Sequence, residues 1–233
     1  MQGLDLIIFD CDGVLVDSEI VAARVEARLL SAAGFEITPE EIAERYAGLN
    51  FQDILLRIES ETGTPFQASL IDKAEKMVDE RLDREVKAVD GALAAIDAVG
   101  TRTCICSNSS SDRLARMLAR TGIASRFAGT VFSARDTGTK RPKPAPDVFL
   151  HAAEAMHASP ARTIVVEDSV HGIAGARAAG MRVVGFTGAS HSYPGHADVL
   201  TEAGAETVIH RLADLKPVLE ALAAWSEDEA VAL

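Results

Sequence analysis

Leu4-Asp5-Leu6-Ile7-Ile8-Phe9-Asp10-Cys11-Asp12-Gly13-Val14-Leu15-Val16-Asp17-Ser18 is the stretch from which the architecture is read. Leu4 to Phe9 is a short apolar run rich in isoleucine that stops abruptly at Asp10. Such a run predicts a buried strand that delivers a carboxylate at its C-terminal end. Asp10 and Asp12 stand two residues apart, so their side chains point the same way if the backbone stays extended. Ligands of open α/β sheets bind beyond the carboxyl ends of the strands. Two close carboxylates repel unless a proton or a cation lies between them, and a hard cation held by oxygens fits. Taken alone the motif also fits a simple turn, because Asp and Gly both favour turns. A calcium loop does not fit: the spacing to Gly13 is wrong and the later acidic ligands are missing.

Working outward, similar apolar runs recur at Arg102–Ser107, Thr163–Glu167 and Arg182–Phe186, with weaker ones near Thr130–Phe132 and Thr207–Ile209. Helical patterns separate them, such as Leu114/Met117/Leu118 and Val148/Phe149/Ala152/Ala153/Met156. This alternation predicts an α/β fold, a Rossmann-like parallel sheet with helices on both faces. The stretch from Asp17 to Val86 has no strand-like run. Val21, Val25 and Leu29 repeat at helical spacing and Gly34 ends that segment. Thr38-Pro39-Glu40-Glu41 is a capping box with proline at the first helical position, and Thr64-Pro65-Phe66-Gln67 repeats the device. The expectation is an all-helical cap over residues 17–86, inserted into a core domain made of residues 1–16 and 87–233.

Three more segments carry chemistry-bearing residues. Ser107-Asn108-Ser109-Ser110-Ser111 follows the strand at Thr103–Cys106; its hydroxyl and amide groups suit phosphate oxygens, or plain capping of the next helix. Lys140-Arg141-Pro142-Lys143-Pro144-Ala145-Pro146-Asp147 is a loop stiffened by three prolines, which aims a lysine at little entropic cost. Lys140 and Arg141 read as solvated loop residues. Val165-Val166-Glu167-Asp168-Ser169 again ends a buried strand in acids, which can converge with Asp10 on one cation or cap a helix. Gly172 and Gly175 permit close helix–sheet packing.

Composition narrows the function classes. Hydrophobic residues at 48% and charged residues at 25% describe a chain that packs a core. A net charge of −12 argues against a nucleic-acid partner, because phosphate backbones need a basic face. No segment reaches transmembrane length. Cys104 and Cys106 lie too close for an ordinary disulfide, and with Cys11 they read as buried thiols in a reducing compartment, hence the cytoplasm. His191 and His196 match no zinc spacing and read as a surface loop. The acidic run Glu75–Glu85, interleaved with Lys76, Arg81 and Arg84, reads as a solvated helix face.

The four motifs Asp-x-Asp-Gly, Ser-Asn, Lys-Pro and Glu-Asp occur in that order. In this the sequence resembles the haloacid dehalogenase-like hydrolases over nearly its whole length. More narrowly it is similar to the β-phosphoglucomutase-like branch, with its helical cap inserted after the first motif. The resemblance implies a phosphatase in which Asp10 is the nucleophile and Asp12 the general acid/base. It implies Mg2+ held by the Asp10 carboxylate, the Asp12 carbonyl and Asp168, with Glu167 close by. It implies phosphate ligation by Ser107 and Asn108, and Lys143 paired with Asp10 and the transferring phosphoryl group. Dehalogenases lack the second aspartate, so Asp12 argues against that chemistry.

Two positions depart from the branch's mutases. Ala22 stands at the place of a cap histidine, and Phe51, within Leu49–Asp53, at the place of an arginine that grips a second phosphate. The expectation is therefore hydrolysis, with a phosphomutase as the alternative. The resemblance is nearest to sugar-phosphate and sugar-acid-phosphate phosphatases such as 6-phosphogluconate phosphatases. The expected partner is a small phosphorylated molecule, met by a monomer with no membrane or nucleic-acid partner.

Overall fold

Leu6–Phe9 forms β1, flanked on both sides in a six-stranded sheet. The structure, a computed structural model, describes residues 3–46 and 49–231, with side chains as far as residue 224. After β1 come four helices: α1 (Glu19–Ala32), α2 (Pro39–Arg45), α3 (Phe51–Thr62) and α4 (Ser69–Glu85). The remaining chain alternates: α5 (Ala92–Ala98), β2 (Thr103–Ser107), α6 (Ser111–Arg120), β3 (Val131–Ser133), α7 (Asp147–Ala155), β4 (Thr163–Glu167), α8 (Val170–Ala178), β5 (Arg182–Phe186), α9 (His196–Ala203), β6 (Thr207–Ile209) and α10 (Leu215–Val231). The spatial order is β3-β2-β1-β4-β5-β6, every pair parallel. Ile8 lies opposite Cys104 on one side and Val165 on the other. The expected α/β fold is therefore present, with both strand boundaries and strand directions close to the sequence reading.

Strand periodicity sorts the core into two layers. Ile7, Phe9, Ile105, Ile164, Val166 and Val184 face one side, where Ile96 of α5, Leu114 of α6 and Leu219 of α10 cover them. Leu6, Ile8, Cys104, Cys106, Val165 and Val183 face the other, under Phe149 of α7, Ile173 of α8 and Leu200 of α9. Both faces being buried explains why the strands read as continuous apolar runs. Cys11, Cys104 and Cys106 are free and buried.

The inserted helices form for local reasons. Val21, Val25 and Leu29 bury one face of α1, and Gly34, at φ +93°, closes it in the left-handed region. Thr38 and Glu41 make the reciprocal capping box of α2. The second expected box fails. Thr64 and Phe66 turn their N–H groups back to Thr62 and Glu59 of α3 (3.2 and 2.5 Å), so the segment docks on α3 and α4 starts later, at Ser69, without a side-chain cap.

The two chain crossings to these helices run side by side. Val16 bridges Ala88, and the Asp17 N–H donates to Lys87 O at 2.9 Å. The acidic face of α4 is not simply solvated, as the charge run suggested. Arg113 and Arg116 of α6 reach Asp79 and Asp83 at 2.7 and 2.9 Å. Among the described residues no helix is long and apolar enough to cross a membrane.

Candidate active site

Asp10 follows β1 directly, and its N–H donates to Val166 O (2.9 Å), which keeps the chain extended past the strand. Lys143 arrives from the proline-rich loop between β3 and α7. Its ammonium has three protons and meets three acceptors: Asp10 Oδ1 at 2.5 Å, Glu167 Oε1 at 2.7 Å and Cys106 O at 2.8 Å. All its donors are thus engaged in a place where its side chain is 3% exposed. Burial pushes the Asp10 carboxyl well above the usual carboxylate range; Lys143 opposes this, and Glu167, Asp168 and Asp12 add to it. Burial alone would lower the Lys143 ammonium, but Asp10 and Glu167 outweigh it and hold it above its ordinary value. The Lys143 loop is fixed by Asn108, whose side chain accepts from Lys143 N (2.8 Å) and donates to Lys143 O (3.4 Å). The Lys143-Pro144 peptide is cis. Lys140 and Arg141 are exposed, Arg141 pairing with Asp147.

Asp12 is held by three hydroxyls. Ser18 Oγ donates to Oδ1 at 2.7 Å, while Ser107 Oγ and Ser109 Oγ donate to Oδ2 at 2.9 Å each. Of the two readings of the serine run, helix capping is met at Ser110. Ser107 and Ser109 face Asp12, and Ser110 caps α6 by accepting from Arg113 N. Ser18 precedes α1 but makes no capping bond, because its hydroxyl is turned to Asp12.

Glu167 and Asp168 have different tasks. Glu167 Oε1 takes Lys143, and Oε2 accepts from Asp168 N, Ser169 N and Ser169 Oγ. Both its oxygens are engaged within the protein, so it holds Lys143 and does not face an open cleft. Ser169 caps α8 through Gly172 N. A Cβ on Gly172 would lie 1.8 Å from Glu167 Oε1, so glycine there is a requirement of this packing.

Asp168 instead faces the Asp-x-Asp-Gly turn. A Cβ on Gly13, at φ +78°, would fall 2.0 Å from Asp168 Oδ2. Among the described residues no hydrogen-bond donor reaches the Asp12 carbonyl. The Asp10 carboxylate, that carbonyl and Asp168 make an all-oxygen donor set suited to a hard divalent cation such as Mg2+. Four carboxylates against the Lys143 ammonium and the His191 imidazole beside Asp168 still leave a surplus of negative charge that such a cation would offset. Among the described residues no three His, Cys, Asp or Glu side chains form a metal cage.

The sequence reading missed the loop after β5. His191 and His196 are not surface residues. His191 Nε2 lies 3.0 Å from Asp168 Oδ2, and His196 Nε2 lies 2.8 Å from Asp168 O. Burial lowers the His191 pKa, but Asp168 outweighs it and pushes the imidazole up to about 9. His191 Nδ1 is buried with no partner. Ser190 N donates to Asp17 Oδ1 at 3.1 Å, tying the loop to the start of the helical insertion. Glycine, serine and proline around these histidines signal a loop, and nothing in their spacing says that it folds over a carboxylate.

The sequence profile of the haloacid dehalogenase-like hydrolases matches residues 7–186. The chain is 31% identical over 197 residues to 6-phosphogluconate phosphatase of Escherichia coli, covering 83% of this chain and 87% of that protein. Its structure is similar to a conserved haloacid dehalogenase-like protein of unknown function from Agrobacterium tumefaciens, at TM-score 0.92 and 60% identity, covering 94% and 99% of the two chains. A hydrolase from Deinococcus radiodurans with bound phosphate and sodium follows at TM-score 0.80 and 31% identity, covering 96% and 98%. By fold, motif order and profile, the chain belongs to the haloacid dehalogenase-like hydrolases.

Proposed function

We propose that this hydrolase is a Mg2+-dependent phosphatase that removes phosphate from a small phosphorylated sugar or sugar acid through an aspartyl-phosphate on Asp10. The observation that carries the reading is Lys143 bridging Asp10 and Glu167 beside an Asp12 held by hydroxyls. Phosphatase relatives and a structural relative with bound phosphate support it. Mg2+, held by Asp10, the Asp12 carbonyl and Asp168, would supply charge neutralisation at the transferring phosphoryl group.

The chain's own groups then account for the steps. An Asp10 Oδ forms a bond to phosphorus as the bond from phosphorus to the leaving alkoxide breaks. Protonated Asp12 gives its proton to that alkoxide. The Asp12 carboxylate next takes a proton from water, whose oxygen attacks the aspartyl-phosphate. Asp10 leaves as carboxylate, inorganic phosphate departs and Asp12 again holds a proton. Lys143 offsets negative charge on the phosphoryl oxygens and on Asp10 throughout. Ser107 turns its hydroxyl from Asp12 to a phosphate oxygen, and Asn108, its side chain committed to the Lys143 loop, contributes its main-chain N–H.

Residues 17–86 act as the cap and residues 1–16 with 87–233 as the core, hinged where Val16 and Ala88 lie side by side. Ala22 on α1 and buried Phe51 at the start of α3 offer neither imidazole nor guanidinium for retaining a second phosphate, which favours water as acceptor over a mutase cycle. The enzyme works as a cytoplasmic monomer on a small molecule. Beryllofluoride with Mg2+ should give a 19F resonance of an Asp10 adduct that is absent in Asp10→Asn. Turnover of Asp10→Asn near the wild-type rate would refute the assignment.

A further inference from the structure

Asp168 follows β4 directly, and its main chain is held from two directions. Its own N–H and the N–H of Ser169 both donate to Glu167 Oε2, at 3.1 and 3.0 Å. The Asp168 carbonyl is met from the other side by His196 Nε2 at 2.8 Å, a contact across 28 residues of chain. A carbonyl oxygen only accepts, so Nε2 carries a proton and donates; the neutral ring and the imidazolium both allow this, and the contact does not depend on titration. The peptide group between Asp168 and Ser169 is thus bonded at both of its polar atoms. What freedom Asp168 keeps lies in its two side-chain torsions.

His196 is itself held still. It opens α9 and is 4% exposed. Its main-chain N–H donates to Tyr193 O at 3.1 Å, closing a turn through Pro194 and Gly195, the latter at φ +86°. The Tyr193 ring stacks on the imidazole, with centroids 4.7 Å apart and planes 16° from parallel. The His191 ring meets it at 67°, with centroids 5.9 Å apart. An apolar side chain would fill this place without the cost of burying a polar ring. The bond that offsets that cost goes to Asp168.

We infer that His196 is a positioning residue for Asp168: through the Asp168 carbonyl it sets where that carboxylate stands relative to Asp10 and the Asp12 carbonyl. The inference rests on the reading of those three groups as the Mg2+ site. Outer partners of this kind fix the direction of a ligand, and losing one weakens metal binding by about 10- to 100-fold.

Mn2+ binding without substrate, read from the loss of the free-ion EPR signal and reversed by Mg2+, tests this apart from turnover. His196→Gln and His196→Asn are equal in polarity, but only the glutamine amide reaches the place of Nε2. His196→Asn should bind Mn2+ about tenfold or more weakly than wild type, and His196→Gln should recover most of the difference. His196→Phe keeps a ring beneath Tyr193 and removes the donor, so a loss shared with His196→Asn assigns the effect to the hydrogen bond and not to packing. The Mg2+ concentration for half-maximal phosphate release should rise in the same order. Equal Mn2+ affinity in wild type and His196→Asn would overturn the inference, as would equal losses in the glutamine and asparagine variants. A wild type that binds no Mn2+ displaceable by Mg2+ would instead overturn the metal reading on which this rests.

Discussion

Lys143 brings one positive charge to a point where two carboxylates and a carbonyl already meet, with almost no water nearby. Such an ammonium does two things at once. It lets Asp10 exist as a buried nucleophile, and it offers charge to whatever anion Asp10 attacks. Replacing it with methionine, which fills similar space over the Phe149 ring, separates the two. Lys143→Met leaves Asp10 and Glu167 buried together without a cation, a loss of about 3–5 kcal/mol for a broken buried pair. Burial already holds the Asp10 carboxyl high, and without Lys143 it rises further. A carboxyl raised in the folded state contributes stability that is present in acid and lost as pH climbs. The melting-temperature deficit of Lys143→Met should therefore be larger at pH 8 than at pH 5, and kcat should fall by about 10²- to 10³-fold or more. A variant with wild-type kcat, or a deficit independent of pH, would remove Lys143 from the assigned role. Lys143 was legible in the sequence because three prolines stiffen its loop and so aim a lysine at little entropic cost. His191 was not, because its importance comes only from where the loop after β5 comes to rest, 3.0 Å from Asp168. Glu167 was half legible: two acids at a strand end suggested metal, but only packing against Gly172 and Lys143 separates the acid that holds the lysine from Asp168, which faces the Asp-x-Asp-Gly turn.

At the scale of elements, periodicity and capping predicted most of what formed, and the failure is instructive. The box at Thr38 formed because Glu41 returns its side chain to Thr38 N, whereas at Thr64 the third residue is Gln67 and the N–H groups of Thr64 and Phe66 turn back to Thr62 and Glu59 at the end of α3. The strands were legible because both faces of the sheet are covered, so each reads as an apolar run. What the glutamates of α1 face was not legible, since only the helix's apolar spacing of Val21, Val25 and Leu29 carried a signal. One of them has a measurable cost. Burial raises Glu26 from an ordinary 4.5 to about 7 in the fold. Below about pH 4.5 the glutamate is protonated folded or unfolded and costs nothing. Between there and about 7 the unfolded chain ionises first, so stability drains as pH rises, and above 7 the penalty is complete. Glu26→Gln should match wild type at pH 4.5 and be more stable at pH 8, by on the order of 2 kcal/mol. Thermal melts at the two pH values check this. A variant less stable than wild type at pH 8 would mean that the ionised carboxylate has a partner that the fold conceals.

At the scale of the whole molecule, if residues 17–86 act as the proposed cap, access to Asp10 depends on how α4 sits against α6. The helical insertion meets the rest of the chain where Val16 bridges Ala88, and again where Ser190 N donates to Asp17. The third contact is electrostatic: Asp79 with Arg113 and Arg116, and Asp83 with Arg116, while Arg120 donates to main-chain carbonyls at the end of α4, Arg84 O and Val86 O. These side chains are partly exposed, Arg113 at 21% and Asp79 at 38%, so each pair contributes about 0.2–1 kcal/mol and is screened by salt. That is too little to decide whether the protein folds, because hydrophobic burial runs continuously from the sheet into α1–α4. It is enough to shift an opening equilibrium several-fold, since about 1.4 kcal/mol is a factor of ten. The same residues should therefore matter little to stability and more to turnover. Asp79→Asn with Asp83→Asn should lower the melting temperature by only a few degrees, on the order of 1 kcal/mol of folding free energy. Its KM should rise several-fold, because the open arrangement gains population at the expense of the one that encloses substrate. Raising salt should move wild-type KM in the same direction and affect the double variant less, because of the ion pairs across this contact only the longer, exposed Arg135–Glu75 pair (3.8 Å) is left to screen. A wild-type KM insensitive to salt, together with a double variant of normal KM, would show that apolar packing of α4 alone holds the cap over Asp10.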